Sequence, residues 1–377
     1  MKKSHRVLVL ACLTLPLVVL FYTLFFPFAP PQTNQREKAR GELQAREKDA
    51  KKASETRGPK PTREEDQPLT PVDAKRMLTE FQQLKSITER SSKISQVIRR
   101  LCLSGYSEDA WGLIEENPGQ VRTKSLGVWF FSAGLTADKM TRKLPSLANA
   151  SEAPLAIAGY LRSLPPDGIN LLMENQVFKS YSDKLTSEQP DALKRLLAGS
   201  LEYHSLTAKG VESQSKVAAA AANYHQAGNL DDDGLISVLK ASNAMKAVDK
   251  WNLLAEHLTG GGESFRNTLV EQMIMENPAA AMASISKMQN NIATADIGNA
   301  LLHWGAADSA GAGQWFEQSK GKLTTEQHDA AVKAFIELAV TFKESDGAIQ
   351  WASQLHNPEY KAQILARLQD NLPQEGE

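Results

Sequence analysis

Gly311-Ala312-Gly313-Gln314-Trp315 and Gly347-Ala348-Ile349-Gln350-Trp351 agree at four of five positions, 36 residues apart. A pentapeptide recurring at that interval marks one supersecondary unit used twice. The surroundings keep the register, since Leu302 falls on Leu338 and Asp308 on Glu344. Ala312 and Trp315 stand three residues apart, as do Ala348 and Trp351, so each pair shares one face of a helix. Each copy reads as a long helix, a short polar turn around Asp308 or Glu344, and a second helix that carries the alanine and the tryptophan. The alanine lets a neighbouring helix approach closely and the tryptophan fills the space beside it. Ala312, Trp315, Ala348 and Trp351 are therefore expected to be core residues that join one hairpin to the next.

Outward from the repeat, the helical texture continues without the motif. The run Asn277-Pro278-Ala279-Ala280-Ala281-Met282-Ala283-Ser284 reads as a degenerate earlier copy, and Ala110-Trp111 and Trp251 as remnants. Apolar residues recur at spacings of three and four at Met77, Phe81, Leu84 and Ile87, then at Ile94, Val97, Ile98 and Leu101. They do so again at Ala331, Phe335, Leu338, Ala339 and Phe342. That period belongs to a helix, and no window sustains the alternation a strand requires. Thr70-Pro71-Val72-Asp73 offers a capping side chain, a proline suited to the first turn and an acid three residues on, which predicts a helix start. Asn-Pro steps at Asn117, Asn277 and Asn357 predict three more starts. Breaks are expected at Pro165-Pro166-Asp167-Gly168, Gly228-Asn229 and Gly260-Gly261-Gly262. The expected fold is all-α, with a helical domain lacking clear repeats over 69–270 and hairpin repeats of about 36 residues over 271–373.

On these residues the chain resembles bacterial α-solenoid proteins built from tandem helical hairpins, akin to tetratricopeptide and HEAT arrays. The resemblance covers the C-terminal third, about residues 270–372. It implies a stack of the right-handed type with an extended concave surface for peptide or protein partners, and no chemistry of its own.

Residues 7–26 contain no charged side chain and follow Lys2, Lys3, His5 and Arg6. As a helix rising about 1.5 Å per residue, such a run spans roughly 30 Å, the thickness of a bilayer's hydrocarbon core. The preceding bases set the N-terminus inside and the rest of the chain outside. Residues 1–28 thus read as a single-pass signal anchor in the inner membrane of a bacterial cell, with the C-terminal domain periplasmic. A cleaved signal peptide is disfavoured because the prolines of Phe26-Pro27-Phe28-Ala29-Pro30-Pro31 leave no small-x-small step. A lipoprotein box at Val9-Leu10-Ala11-Cys12 comes too early in the apolar run. Residues 29–68 mix acids and bases, hold Leu43 as the sole large aliphatic residue between positions 30 and 67, and read as a disordered linker.

The 43 basic and 44 acidic residues leave a formal charge of −1, which builds no field to gather nucleic acid. Of the two cysteines, Cys12 lies in the apolar run and Cys102 in a helical context, so no disulfide framework is expected and Cys102 reads as an inert buried thiol. His204, His225, His257, His303, His328 and His356 are scattered, and none forms a His-x-x-x-His pair. No nucleophile elbow, phosphate loop or dinucleotide fingerprint occurs. Asn229, Asp231, Asp233, Gly234 and Ile236 follow the pattern of a calcium loop, but Lys240 stands where a bidentate glutamate is needed. An acidic cluster capping a helix explains them more simply. No catalytic, cofactor-binding or metal-ligating residue is assigned, and no cofactor is expected. The expected partners are the membrane, through residues 7–26, and a protein or peptide. A membrane-anchored binding scaffold follows as the expected function, with a helical hydrolase or lyase and a purely structural oligomerising module as rivals.

Overall fold

The computed structural model describes residues 68–147, 151–188 and 191–370, so the expected anchor over 1–28 and nearly all of the linker over 29–68 lie outside the described residues. Every regular element among the described residues is helical, and the fold class is all-α. The helices are α1 (Pro71–Gln82), α2 (Ile87–Leu103), α3 (Ser107–Glu116), α4 (Gln120–Ser132), α5 (Ala137–Lys143), α6 (Glu152–Ser163), α7 (Ile169–Glu174), α8 (Gln176–Glu188), α9 (Ala192–Thr207) and α10 (Gly210–Gln226). They continue as α11 (Asp232–Ala241), α12 (Ala247–His257), α13 (Glu263–Glu276), α14 (Pro278–Lys287), α15 (Asn291–Ala307), α16 (Ser309–Ser319), α17 (Thr325–Thr341), α18 (Ser345–Ser353) and α19 (Pro358–Asp370). Among the described residues no helix is long and apolar enough to cross a membrane.

Local chemistry sets most of the boundaries. Thr70 accepts the Asp73 backbone N–H at 3.2 Å and opens α1, while Asn277 does the same for Ala280 at 3.0 Å and opens α14. Asn357 caps α19 by accepting from the Tyr360 N–H at 3.0 Å. Asn117 does not start a helix. Its side-chain amide donates to the Leu113 carbonyl at 2.7 Å, so it closes α3, and α4 begins only after Gly119, whose φ of 76° turns the chain. The same asparagine chemistry thus serves a carbonyl-rich helix end instead of an amide-rich one. Thr324 and Gln327 form a reciprocal capping box at the head of α17.

The helices pack in alternation. Helix α2 lies on α4, α4 on α6, α6 on α9 and α9 on α11, and the pattern returns with α13 on α15 and α15 on α17. Intervening helices pair with their chain neighbours, as α16 does with α15 and α18 with α17. Many hydrogen bonds between neighbouring helices fall at a similar separation. Ser95 meets Ser125, Arg122 meets Glu152, Glu202 meets Ser237, Ser205 meets Ser242, Ala255 meets Asn290, Arg266 meets Asp296 and Met288 meets Gln327, all 30 to 39 residues apart.

One apolar core runs from Leu69 to Leu355. Its largest enclosed side chains include Trp129, Trp251, Tyr160, Phe130 and Phe178. At the repeat itself, Ala312 and Ala348 are both fully buried, whereas Trp315 and Trp351 are half-buried and rest against the core from its edge. The position after each tryptophan, Phe316 or Ala352, is the one that is enclosed. Polar turns lie where the repeat requires them: Asp308 caps α16 by accepting from the Gly311 N–H at 2.9 Å, and Glu344 precedes α18.

Candidate functional site

The heads of α17 and α19 meet at a corner that concentrates donor atoms. The capping box fixes the first turn of α17, which presents His328 and Asp329. Asn357-Pro358 fixes the start of α19 and leaves His356 just before it. Asp329 bridges the two. Its Oδ1 accepts from the His356 backbone N–H at 3.0 Å and lies 2.9 Å from His356 Nδ1, and its Oδ2 accepts from the Asn357 N–H at 3.2 Å. Burial alone would raise the Asp329 carboxyl, but the His356 and Asn357 amides and the two imidazoles hold it below the ordinary carboxylate value.

His328 is largely enclosed. Its ring packs against Phe316 at 5.2 Å and against His356 at 4.4 Å, and its Nδ1 faces Asp329 Oδ1 at 3.6 Å with no partner at hydrogen-bond distance. Burial, followed by the neighbouring His356, lowers its pKa, so at neutral pH the ring is uncharged and one ring nitrogen carries a free lone pair. A surface cavity of about 210 Å³ opens beside the two rings and is lined also by Lys320, Leu323, Thr324 and Thr325. Among the described residues, His328, Asp329 and His356 are a group whose ligand-type atoms lie within 4.8 Å of one another. Sequence reading had the six histidines scattered. His328 and His356 stand 28 positions apart, and only the side-by-side placement of successive hairpin starts brings them together. The readable signal was the pair of helix starts at Thr324 and Asn357, not any histidine spacing.

Two buried ion pairs join helices elsewhere. Arg122 holds Glu152 through two hydrogen bonds of 2.7 and 3.0 Å between α4 and α6. Arg266 donates to Asp296 at 3.2 Å between α13 and α15, and Trp251 donates to the same carboxylate oxygen at 2.8 Å. Arg266 also donates to the Gly261 carbonyl, which ties the glycine break to the core. Burial pushes the Asp296 carboxyl up, against the pull of Trp251 and Arg266. Arg122 and Arg266 lie 144 residues apart, and so do Glu152 and Asp296, which is four periods of 36.

The remaining residues singled out by sequence take structural places. Asp231 is the N-cap of α11 and accepts from the Gly234 N–H at 2.8 Å, while Asp232 pairs with His225 Nε2 at 2.8 Å. Because α11 begins at Asp232, most of the calcium-loop pattern is already helical and does not wrap a central point. Burial pushes the Cys102 thiol up to about 12, which keeps it protonated and unreactive at neutral pH. No family model, curated protein or solved structure matches the chain.

Proposed function

We propose that the chain is a membrane-anchored helical-repeat protein of the α-solenoid type, whose hairpin array binds a protein or peptide on the outer side of the inner membrane. The observation that carries this reading is the clustering of hydrogen bonds between neighbouring helices at separations of 30 to 39 residues from Ser95 through Gln327, alongside others at separations such as 22 and 58. Each hairpin of a solenoid meets only its neighbours, and ties clustered near one repeat length are what such stacking produces. Recurrence of the Arg–carboxylate clamp after four periods supports extending the array through 69–270, where the Ala–Trp motif fades. Arrays of this kind work through their exposed faces and not through a reaction centre. The anchor rests on residues 7–26 and the bases before them.

The test uses the full chain in intact cells. A C-terminal tag is expected to be digested by protease added to the periplasmic side. Cross-linking in intact envelopes is expected to join the chain to one recurring partner that an unrelated domain on the same anchor does not capture. A protected tag overturns the orientation. Cross-links confined to other copies of the chain overturn the binding role in favour of self-association.

A further inference from the structure

We propose that His328, Asp329 and His356 form a binding site for a divalent transition-metal ion of the zinc class, which clasps the head of α17 to the turn before α19. The inference is independent of the scaffold reading and rests on the donors themselves. Two imidazoles and one carboxylate are a borderline donor set that suits zinc, nickel or copper(II). Magnesium and calcium, which want six or more oxygens, are poorly served by it.

Three details go beyond mere proximity. The first is His328 Nδ1, shut away from solvent in a ring that packs on Phe316, with Asp329 Oδ1 at 3.6 Å and no partner at hydrogen-bond distance. An imidazole nitrogen buried without a partner is costly, and an ion beside it would remove that cost. The second is the count on Asp329. A carboxylate offers about four lone-pair directions. The His356 and Asn357 amides take one on each oxygen, and the second direction on Oδ1 faces both His356 Nδ1 at 2.9 Å and His328 Nδ1 at 3.6 Å. The third is the orientation of His356. Its Nδ1 lies 2.9 Å from the same Asp329 Oδ1 that His328 Nδ1 approaches at 3.6 Å, so both rings turn a nitrogen toward one carboxylate oxygen, and an ion among them would exchange the His356 contact for a bond.

The geometry is close to closed. Ligand atoms around a tetrahedral ion with bonds near 2.0–2.1 Å stand about 3.4 Å apart, so atoms within 4.8 Å must approach by no more than about 1.5 Å. The His356 side chain is 53% exposed and stands in a turn, so its ring can supply that movement. The cavity beside the rings leaves room for a water molecule as a fourth ligand. Lys320 on the cavity rim acts against cation binding, and the Asp329 carboxylate offsets it.

The experiment uses the purified full chain in detergent, stripped with a chelator and titrated with zinc by calorimetry in competition with a chromogenic chelator. One zinc per chain is expected, with a raised melting midpoint, and with cobalt(II) the visible absorption of a four-coordinate site. His356→Ala and Asp329→Asn are each expected to weaken zinc binding at least tenfold. Because His356 is exposed, the metal-free His356→Ala chain should melt within a degree or two of the metal-free parent, which separates ligand loss from unfolding. Calcium and magnesium should leave the midpoint unchanged. Absence of stoichiometric binding overturns the proposal. Zinc binding that survives both His356→Ala and His328→Ala unchanged also overturns it, since the ion would then sit adventitiously on other histidines.

Discussion

The stretch from α2 to α6 and the stretch from α15 to α18 stack their helices in the same alternation and hold them by different means. In the first, large rings are enclosed: Trp111 lies 4.7 Å from Trp129, Trp129 lies 5.0 Å from Phe130, and the Trp129 indole donates to the Ser107 carbonyl. The clamp of Arg122 on Glu152 completes that seam, and α4 crosses α6 where Gly127 faces Gly159. In the second, Ala312, Ala348 and Ala352 are enclosed together with Phe316 and Phe335, and the half-buried Trp351 stacks on Phe335 from the edge. Similar helix packing is therefore filled in two ways, one with indole rings and a buried charge pair, the other with alanines, two buried phenylalanines and one half-buried indole.

The strongest challenge to this contrast falls on the charge pair. Arg122→Ala or Glu152→Ala leaves a buried ion without its counter-ion and is expected to cost about 3–5 kcal/mol, read from denaturant midpoints. Arg266→Ala should cost a comparable amount if the two clamps are equivalent. A loss below about 1 kcal/mol at Arg266 would show that its seam is held by packing alone.

Next come the helix crossings. A Cβ added at Gly159 would press into the Gly127 backbone, so Gly159→Ala is expected to cost about 3 kcal/mol. At the corresponding crossing of α15 with α17, a Cβ on Gly298 would meet the Ala330 carbonyl at an ordinary 3.5 Å. Gly298→Ala should therefore stabilise, by up to about 1 kcal/mol, through helix propensity. Opposite signs would sharpen the contrast, and equal losses would break it.

The tryptophans of the repeat rank third. Trp351 stacks on Phe335 with ring centres 4.4 Å apart but is only half-buried, so Trp351→Ala is expected to cost about 2 kcal/mol, less than an enclosed indole would. Thermal melting of that variant and of Trp315→Ala measures the difference, with Trp315 expected to cost about 1 kcal/mol.

The smallest effect is a response to acid between the two stretches. Burial lowers the pKa of His204 on α9, against the pull of the Leu161 and Leu164 backbone. The ring's contribution to stability is complete above the ordinary imidazole value near 6.5. Below it, the unfolded chain takes up the proton first, and stability declines until pH passes the lowered value of the folded state. Denaturant midpoints at pH 7 and pH 5 should show the decline, and His204→Gln should flatten it. An unchanged slope would place the acid sensitivity elsewhere.

Helix content was legible in the residues because buried side chains follow the helical period, as at Ile94, Val97, Ile98 and Leu101, all at most 3% exposed. Boundaries were legible where a cap and a proline coincide, at Thr70, Asn277 and Asn357. The Asn117 step misleads because asparagine can satisfy either end of a helix. The Ala–Trp recurrence was visible as a local motif, though not that its tryptophans stand half-buried, and the Arg–carboxylate clamps were invisible because their partners stand 30 residues apart and nothing nearby repeats. The His328–Asp329–His356 corner escaped for the same reason. Its members are neighbours only after the hairpins stack.

Among the described residues, the hydrogen bonds that tie one helix to another reach no further than the 58 positions between Tyr224 and the Pro166 carbonyl. A chain whose contacts are that local has a low contact order and little loop-closure entropy to overcome at any step. As it leaves the ribosome, each hairpin can close on the one already made while later residues are still unsynthesised. The fold can therefore grow in the order of translation, with α19 docking only after the helices before it have found their places.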